Sequence, residues 1–178
     1  MKFIKILYYR LLEIICNFLK LDCMKITIKR YRLNGAIIGN NVRAFSPITS
    51  SEPYLITVND NVTISNKVVF LTHDNSIIKV ANDATDLVGA IVIGKNTFIG
   101  YGVIICPGVV IADNCIIGAG SIVTKSFMNE CSVIAGNPAK IISTTESFRK
   151  KYLTYAFDFK SKKRKMEILG NPEKILRK

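Results

Sequence analysis

Aliphatic residues recur at every sixth position in the second half of this chain: Ile93, Ile99, Ile105, Ile111, Ile117 and Val123. The residue after each is mostly small: Gly94, Gly100, Cys106, Ala112, Gly118 and Thr124. The residue four positions after each is compact, through Thr97, Val103, Val109, Cys115 and Ser121, until Phe127 breaks the rule. A period of six suits neither a 3.6-residue helix nor a row of hairpins, because no turn residues separate the apolar positions as hairpins require. It suits a parallel β-helix, a narrow prism whose flat sides each carry one short strand. The aliphatic side chain then points into the prism and the small residues let the chain round each corner. Residues 91–128 supply about two full coils of 18 residues. In that registry Ile93 stacks on Ile111, Ile99 on Ile117 and Ile105 on Val123. Successive coils are then about 4.8 Å apart, the ordinary spacing of neighbouring strands.

Upstream the same period is interrupted. It starts near Ile38-Gly39-Asn40-Asn41-Val42, lapses through Ser46–Pro53, and resumes at Val58, Ile64 and Phe70, with Val62 and Val68 in the compact places. From Phe70 to Ile93 there are 23 positions, not a multiple of six, so residues 72–90 leave the coil as an excursion rich in Asn, Asp and Ser. Long excursions from a solenoid lie on its surface and commonly carry its function. Gly136-Asn137-Pro138 is expected to end the ladder, since proline has no N–H to give to the next strand.

The flanks differ in character. Phe3, Ile6, Leu7, Leu11, Ile14, Ile15 and Phe18 recur at three- and four-residue steps, with Lys5, Arg10 and Glu13 largely elsewhere. That spacing predicts an amphipathic helix over 3–21. Two placements suit it: packed on the coil, or lying on a membrane surface through its apolar stripe. The chain therefore divides into a helical basic segment (1–34), an all-β domain (35–142) with its excursion, and a basic extension (143–178) that is helical in segments.

Charge follows the same division. Residues 1–34 hold eight Lys/Arg against two Asp/Glu, residues 35–140 six against seven, and residues 141–178 eleven against four. The coil is neutral and both ends are basic, so a negatively charged partner meets the ends. Lys160-Ser161-Lys162-Lys163-Arg164-Lys165 lacks the aromatic or glycine interleaving of a nucleic-acid binder and reads as a solvated tail; no nucleic-acid partner is expected. Five cysteines without framework spacing read as free thiols in a reducing compartment. The apolar N-terminus carries charges and no small-residue cleavage site, so it does not read as a secretory signal. A cytoplasmic protein is expected, with possible peripheral contact at the inner membrane face.

Chemistry concentrates on one residue. His73 is the sole histidine, and it stands where the chain leaves the coil for the polar excursion. No other side chain is an obvious general base near neutral pH. A three-histidine zinc site is excluded by counting, and no metal is expected. No G-x-S-x-G elbow, P-loop or G-x-G-x-x-G is present.

The strings IVIGKNTFIGYGVIICPGVVIADNCIIGAGSIVTKSF and SVIAGNPAK resemble the hexapeptide-repeat acyltransferases, the group of galactoside, maltose and xenobiotic acetyltransferases. Upstream, EPYLITVNDNVTISNKVVFLTHDNS is similar to the version found in bacterial capsule and lipopolysaccharide O-acetyltransferases. The resemblance covers about residues 35–142. It implies a left-handed coil, where general crossover rules favour the right hand. It also implies a homotrimer with active sites between chains, and transfer of an acetyl group from acetyl-CoA to a hydroxyl of a sugar or glycan. Carried onto this chain, His73 is the general base and Asp74 a candidate to orient it, although adjacent residues of a strand point opposite ways. A backbone N–H near Tyr101 is the candidate oxyanion donor. The coenzyme A groove maps onto Phe98, Tyr101, Ala119 and Thr124, with Lys125 and Lys140 placed for phosphates or merely solvated. Ser50, Ser51 and Glu52 are candidate acceptor contacts. In a trimer, outward apolar residues such as Val103, Ile104 and Val110 are expected to meet a neighbour. The rival readings are a xenobiotic or small-molecule acetyltransferase and a non-catalytic trimeric binding module.

Overall fold

The computed structural model of the chain describes residues 2–19, 21–159 and 164–176, so part of the basic tail at 160–165 lies outside the described residues. Two helices, α1 (Lys2–Phe18) and α2 (Met24–Asn34), precede the coil. The first turns of the coil are β1 (Ile37–Ile38), β2 (Arg43–Ala44), β3 (Ile56–Val58), β4 (Thr63–Ile64) and β5 (Val69–Phe70). The excursion holds β6 (His73–Asp74) and β7 (Leu87–Val88). The regular stretch follows as β8 (Ile91–Ile93), β9 (Phe98–Ile99), β10 (Ile104–Ile105), β11 (Val110–Ile111), β12 (Ile116–Ile117) and β13 (Ile122–Val123). A hairpin of β14 (Ser132–Gly136) and β15 (Ala139–Thr144) closes it, before α3 (Thr145–Tyr152) and α4 (Arg164–Leu169).

Three flat sides result. The first side orders β1-β3-β8-β11, the second β2-β4-β9-β12-β14-β15, and the third β5-β10-β13. Ile93 pairs with Ile111, Ile99 with Ile117 and Ile105 with Val123, all parallel, which is the stacking the six-residue period predicts. Burial explains the pattern: these six side chains are at most 1% exposed. So are the intervening compact residues Thr97, Val103, Val109, Cys115 and Ser121. Each side therefore sends two side chains inward, and only a short residue fits at the second place. Val103 consequently belongs to the core and not to an outer face, whereas Ile104 and Val110 are half-buried on the outside.

One corner is built on asparagine. Asn41, Asn61, Asn96 and Asn114 adopt φ of 53–60°, the left-handed region that asparagine tolerates better than most L-residues. Asn41 Nδ2 donates to Asn61 Oδ1 at 2.8 Å and Asn96 Nδ2 to Asn114 Oδ1 at 3.0 Å, so the turns are tied from coil to coil.

The irregularities have definite places. Val58 pairs with Ile93, 35 positions on, so the excursion takes 17 residues beyond a regular coil of 18. Ile38 pairs with Val58 and Ala44 with Ile64, each 20 apart, so two extra residues are absorbed between Ser46 and Leu55. Gly136–Pro138 is the turn of the closing hairpin: β14 still pairs in parallel with β12, and β15 returns antiparallel.

At the other end α2 covers the first coil. Ile28 and Tyr31 are buried on it, Arg32 donates to Ile38 O at 2.9 Å and to Gly39 O at 2.5 Å, and the Ala44 N–H meets Met24 Sδ at 3.1 Å. Helix α1 packs on α2, tied by Arg30 Nε to Glu13 Oε2 at 2.8 Å. The helix placed on the coil is thus α2, which the weak periodicity of residues 24–34 does not single out. No helix among the described residues is long and apolar enough to cross a membrane.

Candidate active site

The site forms where the third side would turn back to the first. Leu71 N–H donates to Ile105 O at 2.9 Å, holding the chain in the coil for one residue beyond β5. Thr72 is buried, and the chain then departs as β6, whose His73 and Asp74 lie antiparallel to Val88 and Leu87. Gly89 N–H donates to Thr72 O at 2.9 Å and closes the base of this hairpin. A side chain at Gly89 has no room. Its Cβ would lie 2.7 Å from Gly108 Cα and from Pro107 C, so the hairpin is seated directly on the backbone of the next coil.

Directly below Thr72, one coil down, stands Glu52. Its Oε2 accepts from Thr72 Oγ1 at 2.6 Å and contacts His73 Nδ1 at 2.9 Å. The hydrogen bonds from Thr72 and His73 lower the Glu52 carboxyl below its ordinary value. The hydrogen bond to Glu52, and then its charge, raise His73 above the ordinary histidine value of 6.5. An ionised carboxylate only accepts, so Nδ1 carries a proton, and in the neutral ring the lone pair is therefore on Nε2. With its side chain 39% exposed, His73 presents that lone pair to a ligand. The arrangement is an oriented general base.

Asp74 does not orient His73. Its Oδ1 accepts the Ser76 N–H at 2.8 Å, and this bond is the main cause of its lowered pKa. The pleat of β6 sends adjacent side chains to opposite faces, which is why Asp74 turns away. Glu52, expected as an acceptor contact, instead partners the base. Ser50 Oγ accepts the Glu52 N–H at 3.1 Å and shapes the turn into it, while Ser51 is exposed beside them.

The residues expected along a coenzyme A groove fall into two groups. Phe98 and Tyr101 expose their rings where the second side turns to the third, and Lys67 Nζ stands 5.5 Å from the centre of the Tyr101 ring. Ala119 stacks on Gly100 at the same corner, close enough that a Cβ on Gly100 would meet Ala119 N at 2.6 Å. Thr124 and Lys125 stand at the other end of the third side, at the corner two coils above His73. Lys125 and Lys140 face one open groove of about 390 Å³, with Ser126, Phe127, Met128 and Ile141. Two lysines on one groove fit an anionic group. Within one chain the Phe98–Tyr101–Ala119 wall is a whole side away from His73, so this chain alone does not bring the Tyr101 backbone to the base.

Comparison with known proteins agrees with the architecture. Residues 90–125 match the bacterial transferase hexapeptide family (six repeats). Protein CapG of Staphylococcus aureus is 41% identical over 144 residues, which span 78% of this chain and 83% of CapG. Galactoside O-acetyltransferase of Escherichia coli (strain K12) is 36% identical over 124 residues, 69% of this chain and 60% of that relative. A solved galactoside acetyltransferase in complex with coenzyme A matches with a TM-score of 0.53 at 30% identity, covering 74% of this chain and 76% of that one. The coil is accordingly the left-handed form, against the general preference of crossovers for the right hand. Repeat, register and relatives agree: the chain belongs to the hexapeptide-repeat acyltransferases.

Proposed function

We propose that this protein transfers the acetyl group of acetyl-CoA to a hydroxyl of a sugar, in the assembly of a surface polysaccharide. The observation that carries the reading is the Glu52–His73 pair, an oriented base held at the edge of the coil. Acetyl-CoA supplies an activated acyl carbon as a thioester. His73 Nε2 takes the proton of the acceptor hydroxyl as its oxygen attacks that carbon. Glu52 holds Nδ1–H throughout and stabilises the imidazolium that forms, while Thr72 fixes Glu52. The imidazolium then gives its proton to the departing sulfur, which leaves His73 neutral for the next turnover. Lys125 and Lys140 hold phosphates of the donor, and the rings of Phe98 and Tyr101 wall its thiol-bearing arm.

The wall and the base stand at opposite ends of the third side. A homotrimer supplies what one chain lacks, because the Tyr101 corner of one copy can face the His73 corner of the next. Its oxyanion donor is then the backbone near Tyr101 of the neighbouring copy. The enzyme works in the cytoplasm, peripheral to the inner membrane face, where an acceptor glycan is within reach.

Release of free thiol from acetyl-CoA, measured against sugars, nucleotide sugars, lipid-linked glycans and small xenobiotic alcohols, tests the reading and selects the acceptor. Replacing His73 by alanine should lower turnover about 10²–10⁴-fold with coenzyme A affinity kept. A variant that keeps more than about a tenth of the rate rules out His73 as the base.

A further inference from the structure

Helix α1 is apolar on two opposite faces. Ile6, Tyr9, Leu12 and Cys16 are the half-buried residues turned toward α2. The opposite face carries Phe3, Leu7, Leu11, Ile14 and Phe18, which are 76%, 59%, 55%, 60% and 85% exposed. No charged residue interrupts this stripe. A soluble helix ordinarily has only one apolar face, and that face is buried. The exposed stripe is therefore built for an apolar partner.

Charge identifies the partner. Three of the hairpin's basic side chains meet in an open groove of about 500 Å³ between the helices, lined by Lys5, Lys29, Arg32, Tyr8, Tyr9 and Leu33. Arg32 is fixed there by its bonds to Ile38 O and Gly39 O, so its charge is preorganised. The acid of α1, Glu13, is engaged by Arg30 on the α2-facing side and does not oppose this field. Exposed Tyr8, packed edge to face on Tyr9 at 5.5 Å, stands between stripe and groove, where an amphipathic ring suits a water–lipid boundary. An apolar stripe flanked by cations and tyrosines matches the interface of an anionic bilayer in both its layers.

We propose that the α1–α2 hairpin is a membrane-docking element. Its Phe3–Phe18 stripe lies among the acyl chains, and the Lys5–Lys29–Arg32 groove seats the phosphate of an anionic phospholipid. Docking orients the coil, because α2 is fixed to the first turn by Arg32 and by the buried Ile28 and Tyr31. This gives the peripheral placement proposed above a specific surface, and it stands or falls independently of the acyl-transfer chemistry.

The test is co-sedimentation of the full chain with phosphatidylcholine vesicles and with vesicles that also contain phosphatidylglycerol. Binding is expected only to the anionic vesicles, fading as salt rises. Lys5→Gln and Lys29→Gln should each weaken it about fivefold. Leu7→Gln with Leu11→Gln, on the face away from α2, should abolish it. Equal binding to neutral vesicles, or binding indifferent to the lysine variants, overturns the groove's role. Absence of vesicle binding overturns the whole proposal. So does a lower vesicle-free mass of the leucine variant in sedimentation, which would show that a second copy covers the stripe. Thiol release with a soluble sugar acceptor should be unchanged in all of these variants, so a failure of docking is distinguishable from a failure of the acyl-transfer reading.

Discussion

Replacing Gly89 by alanine tests the link between the excursion and the base, since Gly89 adjoins Val88, the ladder partner of His73, and carries no side chain of its own to the site. The new Cβ would meet Gly108 N nearest of all and would lie 2.7 Å from Gly108 Cα and Pro107 C, where ordinary contact begins at 3.4 Å, so one backbone must retreat by about 1 Å. Gly108 cannot move cheaply: it turns the corner between β10 and β11 at φ 78°, and both strands are locked into parallel ladders. The hairpin is the softer body, being held by a two-residue ladder and by Gly89 N–H on Thr72 O. It should therefore lift, and it carries His73 with it because His73 pairs with Val88, next to Gly89. A base displaced by about 1 Å costs on the order of 10²-fold in rate. Steady-state thiol release should show that loss, while circular dichroism and the melting temperature report an intact coil. Full activity in a well-folded Gly89→Ala protein would refute the reasoning, because it would mean that the site tolerates movement of its base.

Three further outcomes follow from the same geometry. Glu52 raises the pKa of His73, and only neutral His73 can act as base, so activity should fall as pH drops through a value above 6.5. In Glu52→Gln that acidic limb of kcat/KM should move to lower pH and the plateau should fall; an unmoved limb would detach Glu52 from the base. Lys125→Glu and Lys140→Glu should each weaken coenzyme A about 5- to 100-fold by calorimetry, with a smaller penalty for dephospho-coenzyme A in whichever variant has lost the 3′-phosphate contact; unchanged affinity in both assigns these lysines to solvent. Sedimentation at micromolar concentration should give the mass of three chains, and a monomer would remove the neighbour that the Tyr101 wall requires.

The coil was legible because its constraint repeats. Any side that must send an aliphatic and a compact residue inward writes a period of six, and that period alone gives the pairings of Ile93, Ile99 and Ile105. The partner of the base was not legible, for a reason of counting. A regular coil places Leu55 below His73, but the two residues absorbed after Ser46 change the offset to 20 and bring Glu52 beneath Thr72. Nothing local in Ser50-Ser51-Glu52 marks that shift. Asp74 is next to His73 in sequence, but strand alternation turns its side chain away to the Ser76 N–H. Val103, an apolar residue expected to meet a neighbour, faces inward instead, because the interior is shared by two side chains per strand and Val103 fills the second place.

The two caps of the coil set its length. A stack of parallel strands leaves an open hydrogen-bonding edge at each end, and such edges invite another copy to continue the stack. Here the lower edge is met by side chains, with Arg32 on Ile38 O and Gly39 O, and Met24 Sδ on the Ala44 N–H. On the second side the upper edge ends in β15, which runs antiparallel and offers a hydrogen-bond pattern that a parallel first strand does not match. Growth along the axis is thereby opposed at both poles of the second side, which favours association of copies side by side, the direction in which a shared site is possible.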